Sequence, residues 1–166
     1  MNASADNVPL KRRMASSGFT LIELMVTIAI LAIIVSIAAP NISTQLADQR
    51  VESTASVIES VLKEAKAESI IRRQNIQVVY NAFSIPRNIT LQTNNATISS
   101  YNISDQSTIN VTPASVTTVV FQPNKLISGN DEILYTICDS SSSNETPRQV
   151  RVNKIANIST ITAGSC

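Results

Sequence analysis

Apolar residues are spread unevenly along the chain. Positions 19–39 read FTLIELMVTIAILAIIVSIAA, 21 residues in which Glu23 is the sole charged group. Coiled at 1.5 Å per residue, this run makes a helix about 31 Å long, which matches a bilayer hydrocarbon core of about 30 Å. The pattern then changes without ending. Ile42, Leu46, Ala55, Ile58, Val61, Leu62 and Ala65 recur mostly at three- and four-residue spacings up to about Arg73, the period of an amphipathic helix. Asp48, Arg50, Glu52, Glu59, Lys63, Glu64, Lys66 and Glu68 fall mostly on its other faces, with Glu59 and Lys63 in the favourable i,i+4 order. After Asn75 the period shortens. Segments 76–80, 89–91, 97–98, 109–111, 116–121, 133–138 and 149–155 read as short strands separated by Asn, Ser, Pro and Gly clusters. The expected fold class is α+β: a long N-terminal helix, half membrane-type and half amphipathic, packed on a small antiparallel β domain in the form of a sheet or small sandwich.

Composition narrows the chemistry. The chain has 166 residues, no His, no Trp, two Cys, three Gly and a formal charge of +1. Little is left for a metal centre, a phosphate-cradling loop or a strongly basic nucleic-acid surface, so we expect neither catalysis nor a cofactor. Ser, Thr and Asn together supply 52 residues, which suits exposed β-structure and polar turns. That abundance also accounts for eight Asn-x-Ser/Thr triplets without glycosylation. The polar stretch at 140–145, SSSSNE, reads as a mobile surface loop with no assigned chemistry.

Lys11, Arg12 and Arg13 precede the apolar run, whereas the set Asp48, Arg50 and Glu52 beyond it is mixed. This bias puts the N-terminus in the cytoplasm and exports the 126 residues after Pro40. A cleaved secretory signal ending near Ala39 is the competing reading, but its apolar region runs about 7 to 15 residues. A buried core helix would be shorter too. Met14 is an alternative start that discards the basic cluster.

Glu23 is the anomaly, since a charged group in a membrane helix costs roughly 2.5 to 3.5 kcal/mol on insertion scales. The run holds no Lys or Arg. Cleavage after Gly18 would supply a cation: the new α-amino group of Phe19 stands four residues before Glu23, in the same helix or against a neighbouring subunit.

The stretch Ser17-Gly18-Phe19-Thr20-Leu21-Ile22-Glu23-Leu24, followed by the apolar run, resembles the class III signal of type IV pilins and type II secretion pseudopilins. The resemblance implies the pilin fold, cleavage by a prepilin peptidase at the inner membrane between Gly18 and Phe19, and N-methylation of Phe19. It implies that Glu23 pairs with an adjacent subunit's N-terminal amine, and that Pro40 is the family's helix-kinking proline; a bend at the membrane surface is the plain structural reading of Pro40. The resulting layout is a removed leader at 1–18, a transmembrane and filament-core helix at 19–40, the soluble half of that helix at 41–74 and a periplasmic β domain at 75–166. Implied partners are other pilins, the peptidase, the inner membrane and its pilus assembly platform.

Cys138 and Cys166 both lie in the exported part, where an oxidising compartment favours a disulfide. Free thiols or a metal pair are the alternatives, the latter lacking further ligands. The C-terminal quarter, with ILYTIC at 133–138 and Arg148-Gln149-Val150-Arg151-Val152, is similar to the GspH/FimT/FimU group of minor pilins and pseudopilins. That likeness implies a place at or near a filament tip that primes assembly, in a type IV pilus or a type II secretion system. FimT-type members bind DNA through Gly-Arg-x-Arg; here the glycine is absent and Arg148 and Arg151 are one residue further apart. Arg148, Arg151 and Lys154 are the candidate DNA contacts, with Arg148 and Lys154 expected on one strand face and Arg151 on the other. A charge-protected edge strand is the alternative reading. Without residues 1–18 the chain carries 10 basic and 11 acidic groups, which gives no overall attraction to DNA.

Overall fold

The computed structural model describes residues 18–94, 96–129 and 132–166, without the side chains of 38–41. The chain divides into two units, Met1–Ala38 and Ala39–Cys166. One helix, α1 (Leu21–Arg72), contributes to both.

In the first unit Thr20 starts the helix. Its Oγ1 accepts a hydrogen bond from the Glu23 backbone N–H at 3.2 Å, and its carbonyl accepts from Leu24 N–H at 3.1 Å. Thr20-x-x-Glu23 is thus the spacing of a capping box, with Glu23 in the first turn, where the helix dipole favours an acid. The apolar side chains that follow, from Leu21 to Ile37, are exposed on every face. Among the described residues no single helix is by itself long and apolar enough to cross a membrane; Leu21–Ile37 and Ile42–Arg72 pass that test only as a pair. Pro40 falls inside the span of α1, but its side chain, and the kink expected there, lie outside the described residues.

In the second unit α1 buries one stripe: Ala47, Val51, Thr54, Ala55, Ile58, Val61, Leu62, Ala65 and Ser69. The expected stripe starts at Ile42 and Leu46; the observed one does not include them. Both are about half exposed, because the β domain covers the helix only from Ala47 onward. The helix stops where Arg73 adopts φ 53°, the left-handed conformation that ends helices.

Among the described residues eight strands follow: β1 (Ile76–Asn81), β2 (Asn88–Gln92), β3 (Thr97–Asn102), β4 (Ser107–Thr112), β5 (Thr118–Phe121), β6 (Glu132–Asp139), β7 (Arg148–Asn153) and β8 (Ile158–Thr162). They form two four-stranded antiparallel sheets, ordered β3-β2-β1-β5 and β4-β6-β7-β8. Alternation decides which faces are buried. Ile76 and Val78 of β1, Val119 and Phe121 of β5, Ile133, Tyr135 and Ile137 of β6, and Val150 and Val152 of β7 join the helix stripe in one core. Fully burying a side chain the size of Ile58 or Leu62 stabilises the fold by roughly 1.5 to 3 kcal/mol.

The expected strand at 149–155 is shorter in the structure. β7 ends at Asn153, where a tight turn closes: Ala156 N–H donates to Asn153 O at 2.9 Å, Asn157 N–H to Asn153 Oδ1 at 2.8 Å, and Ala156 takes φ 51°. The chain returns as β8, which pairs with β7 in the register Val150↔Thr160.

Candidate functional site

The residues expected to carry function fall into three places. The first is the start of the apolar helix. A Cβ built on Gly18 meets nothing within 4 Å, so packing in this structure does not demand glycine there. Phe19 is 77% exposed, and Glu23 is exposed one helical turn later. A helix apolar all round needs cover on all sides, and the described part of its own unit supplies none.

The second place is the polar fastening between α1 and the sheets. The Arg50 guanidinium donates to both carboxylate oxygens of Asp139, Nε at 2.7 Å and Nη2 at 3.2 Å, and Nη2 also donates to Ser141 Oγ at 2.9 Å. Asp139 accepts further from Ser141 N–H at 2.9 Å. Hydrogen bonding from Arg50 is the main influence holding the Asp139 carboxyl down at about 2; Ser141 adds to it and burial opposes it. Beside this pair, Glu145 Oε1 accepts Asp139 N–H at 3.0 Å and Asp48 Oδ1 accepts Thr146 N–H at 2.7 Å. The 140–145 stretch, expected to be a mobile loop, is therefore tied at both ends. Cys138, at the end of β6, forms a disulfide with Cys166 across a sequence separation of 28. On the opposite sheet Glu64 accepts from Ser99 Oγ at 3.1 Å and Tyr101 Oη at 2.5 Å. Thr54 and Ser107 hydroxyls share a buried hydrogen bond at 2.9 Å.

The third place holds the candidate DNA contacts, which the structure does not gather on one face. Arg151 is exposed on β7 and pairs with Glu132, whose carboxyl its hydrogen bond holds below the usual range. Arg148 has the opposite parity, with Nη2 3.8 Å from Glu52 Oε1. Lys154, expected on the same face as Arg148, lies past the end of β7 in the 153–157 turn, where its carbonyl accepts Ile127 N–H at 3.0 Å. Among the described residues no group of three or more His, Cys, Asp or Glu is placed to hold a metal ion.

Sequence reasoning did not find the Arg50–Asp139 pair or the Thr20 cap. The cap was legible as Thr20-x-x-Glu23; the ion pair, 89 residues apart, left no local trace.

Comparison with known proteins adds the following. The sequence matches the prokaryotic N-terminal methylation motif over residues 13–39 and the type II transport protein GspH over residues 54–155. In fold the chain is similar to the Pseudomonas aeruginosa type IV minor pilin FimU, with a TM-score of 0.61 and 15% identity, covering 71% of this chain and 96% of that one. It is also similar to the minor pseudopilin EpsH of the Vibrio cholerae type 2 secretion system, with a TM-score of 0.52 and 11% identity, covering 70% and 99%. No curated protein sequence matches it.

Proposed function

The chain belongs to the family of the type II transport protein GspH, and from that premise we propose that it is a minor type IV pilin incorporated at or near the filament tip, where it promotes pilus assembly. The precursor is held in the inner membrane by the 19–40 segment, its N-terminus cytoplasmic and its 75–166 domain periplasmic. Prepilin peptidase removes residues 1–18 and the new Phe19 is N-methylated. In the filament the apolar helix exchanges lipid for the helices of other pilins. Glu23, costly in either apolar setting, then pairs with the Phe19 amine of its own or a neighbouring subunit. The protein acts by polymerising and is not an enzyme.

The observation that carries this reading is the conjunction at the N-terminus: a methylation motif over 13–39 running into a helix whose apolar side chains are exposed all round. Sheared surface pili from a strain lacking the gene test it, alongside a double mutant in which retraction is also disabled. Loss of pili that returns when retraction is blocked supports an assembly-promoting minor pilin. Undiminished pili contradict that role.

The match to GspH favours one second reading, a pseudopilin of a type II secretion system. Its expected phenotype is retained pili with loss of secreted enzymes from the medium. DNA binding has weaker support, since Arg148 and Arg151 would have to exchange carboxylate partners for phosphates.

A further inference from the structure

A cleft of about 720 Å³ opens in the second unit between the end of β1, the 82–84 and 114–117 connections, and strands β4 and β6. Tyr80, Phe83, Ile109, Val111, Val116 and Tyr135 supply its apolar walls, and none of its lining residues is acidic or basic. The size is that of a binding cavity. Burying an unpaired charge is costly, so such a lining selects an uncharged occupant.

Two further observations say what kind of occupant. β4 pairs with β6 on one side and is the outermost strand of its sheet; Ser107 at its start is already bonded to Ser104 O and the Arg87 guanidinium, so the open edge lies beyond it, along Ile109 and Val111. Ile109, Asn110 and Val111 all line the cleft. Consecutive strand residues point to opposite faces, so the cavity borders the edge of β4 itself and not merely one face. Tyr135, 3% exposed, also lines the cleft. Phe83, which also lines the cleft, stands fully exposed.

We infer that the outer edge of β4 and the adjoining cleft form a β-augmentation site: an uncharged, extended segment of a partner polypeptide adds as a fifth strand beside β4 and places an apolar side chain on Tyr135. Main-chain pairing to β4 supplies affinity and the cleft supplies selectivity. A small apolar molecule would fill the cleft and leave the strand edge open; the unpaired edge favours the polypeptide. The site is independent of which filament the protein enters.

The test uses the full-length chain, ¹⁵N-labelled in detergent micelles, and a blocked hexapeptide of sequence Thr-Val-Thr-Phe-Thr-Val. Amide shifts are expected at Thr108 to Thr112 and at Tyr135, with slowed hydrogen exchange at alternate β4 amides. Replacing the peptide's Phe by Glu should weaken binding at least tenfold. Val111→Lys should do the same, and so should Thr117→Arg, which charges the opposite wall from an exposed connection that the fold tolerates. Absence of β4 shifts, shifts without alternating protection, or equal affinity for the Glu peptide or for Thr117→Arg overturns the proposal. So does a result in which the dye anilinonaphthalene sulfonate perturbs the cleft and the hexapeptide does not.

Discussion

At the scale of single residues, Glu23 has two physical roles that a point mutation separates. As a charge it answers the Phe19 amine; as the residue three positions after Thr20 it offers its N–H to the helix cap. Glu23→Gln keeps the backbone cap and removes the charge. We expect Glu23→Gln and Glu23→Ala to be equally depleted from sheared filaments while both precursors still insert in the membrane, checked by immunoblot of the two fractions. Normal incorporation of the Gln variant would refute charge pairing. The Arg50–Asp139 pair makes a pH prediction. The Asp139 carboxyl titrates at about 2 in the folded chain, against an ordinary 3.8. An acid depressed on folding stabilises above its unfolded value and loses that contribution as pH falls through its folded one, here between about 4 and 2. Arg50→Ala should therefore lower stability in urea unfolding at pH 7, and the gap from the parent should close as pH approaches 2. An undiminished gap at pH 2 would assign the effect to packing.

At the scale of elements, the helix and seven of the eight strands were legible because their apolar positions keep a period of 3.6 or 2 over several residues. β8 was not, since the turn before it, Asn153-Lys154-Ile155-Ala156-Asn157, holds neither Gly nor Pro and reverses through Ala156 at φ 51°. Apolar Ile155 at the end of an alternating run made the strand read two residues too long. Ile42 and Leu46 misled for another reason: they keep the helical spacing of a core stripe, and periodicity records a face without recording what covers it. In this fold Leu62→Ala should destabilise by roughly 2 to 5 kcal/mol, whereas Ile42→Ala should stay within about 0.5 kcal/mol. Thermal and urea unfolding of the two variants check the contrast.

At the scale of the whole molecule, two kinds of fastening hold the second unit together. The apolar stripe of α1 joins both sheets, and Arg50, Asp48, Glu64 and Lys66 tie the helix to strands and loops 35 to 98 residues away. The Cys138–Cys166 bond fixes the C-terminus beside the same clamp. Closing a loop of this length contributes roughly 3 kcal/mol on the chain-entropy account, so Cys166→Ser should lower unfolding stability by about that much and reductant should add nothing further. The disulfide was legible from compartment and cysteine count; the clamp was not, because ion pairs between distant segments follow from the tertiary fold. The apolar N-terminal helix was the most legible feature of all, and it is the feature that the described part of its own unit leaves uncovered.

Mass spectrometry of the N-terminus of the protein recovered from membranes and sheared filaments tests the central claim most directly. A mature chain that begins at Phe19 carrying one N-methyl group is expected, and an unprocessed precursor when Gly18 is replaced by a bulky residue. A mature N-terminus near residue 40, or a chain that keeps residues 1–18 in the filament fraction, would contradict it.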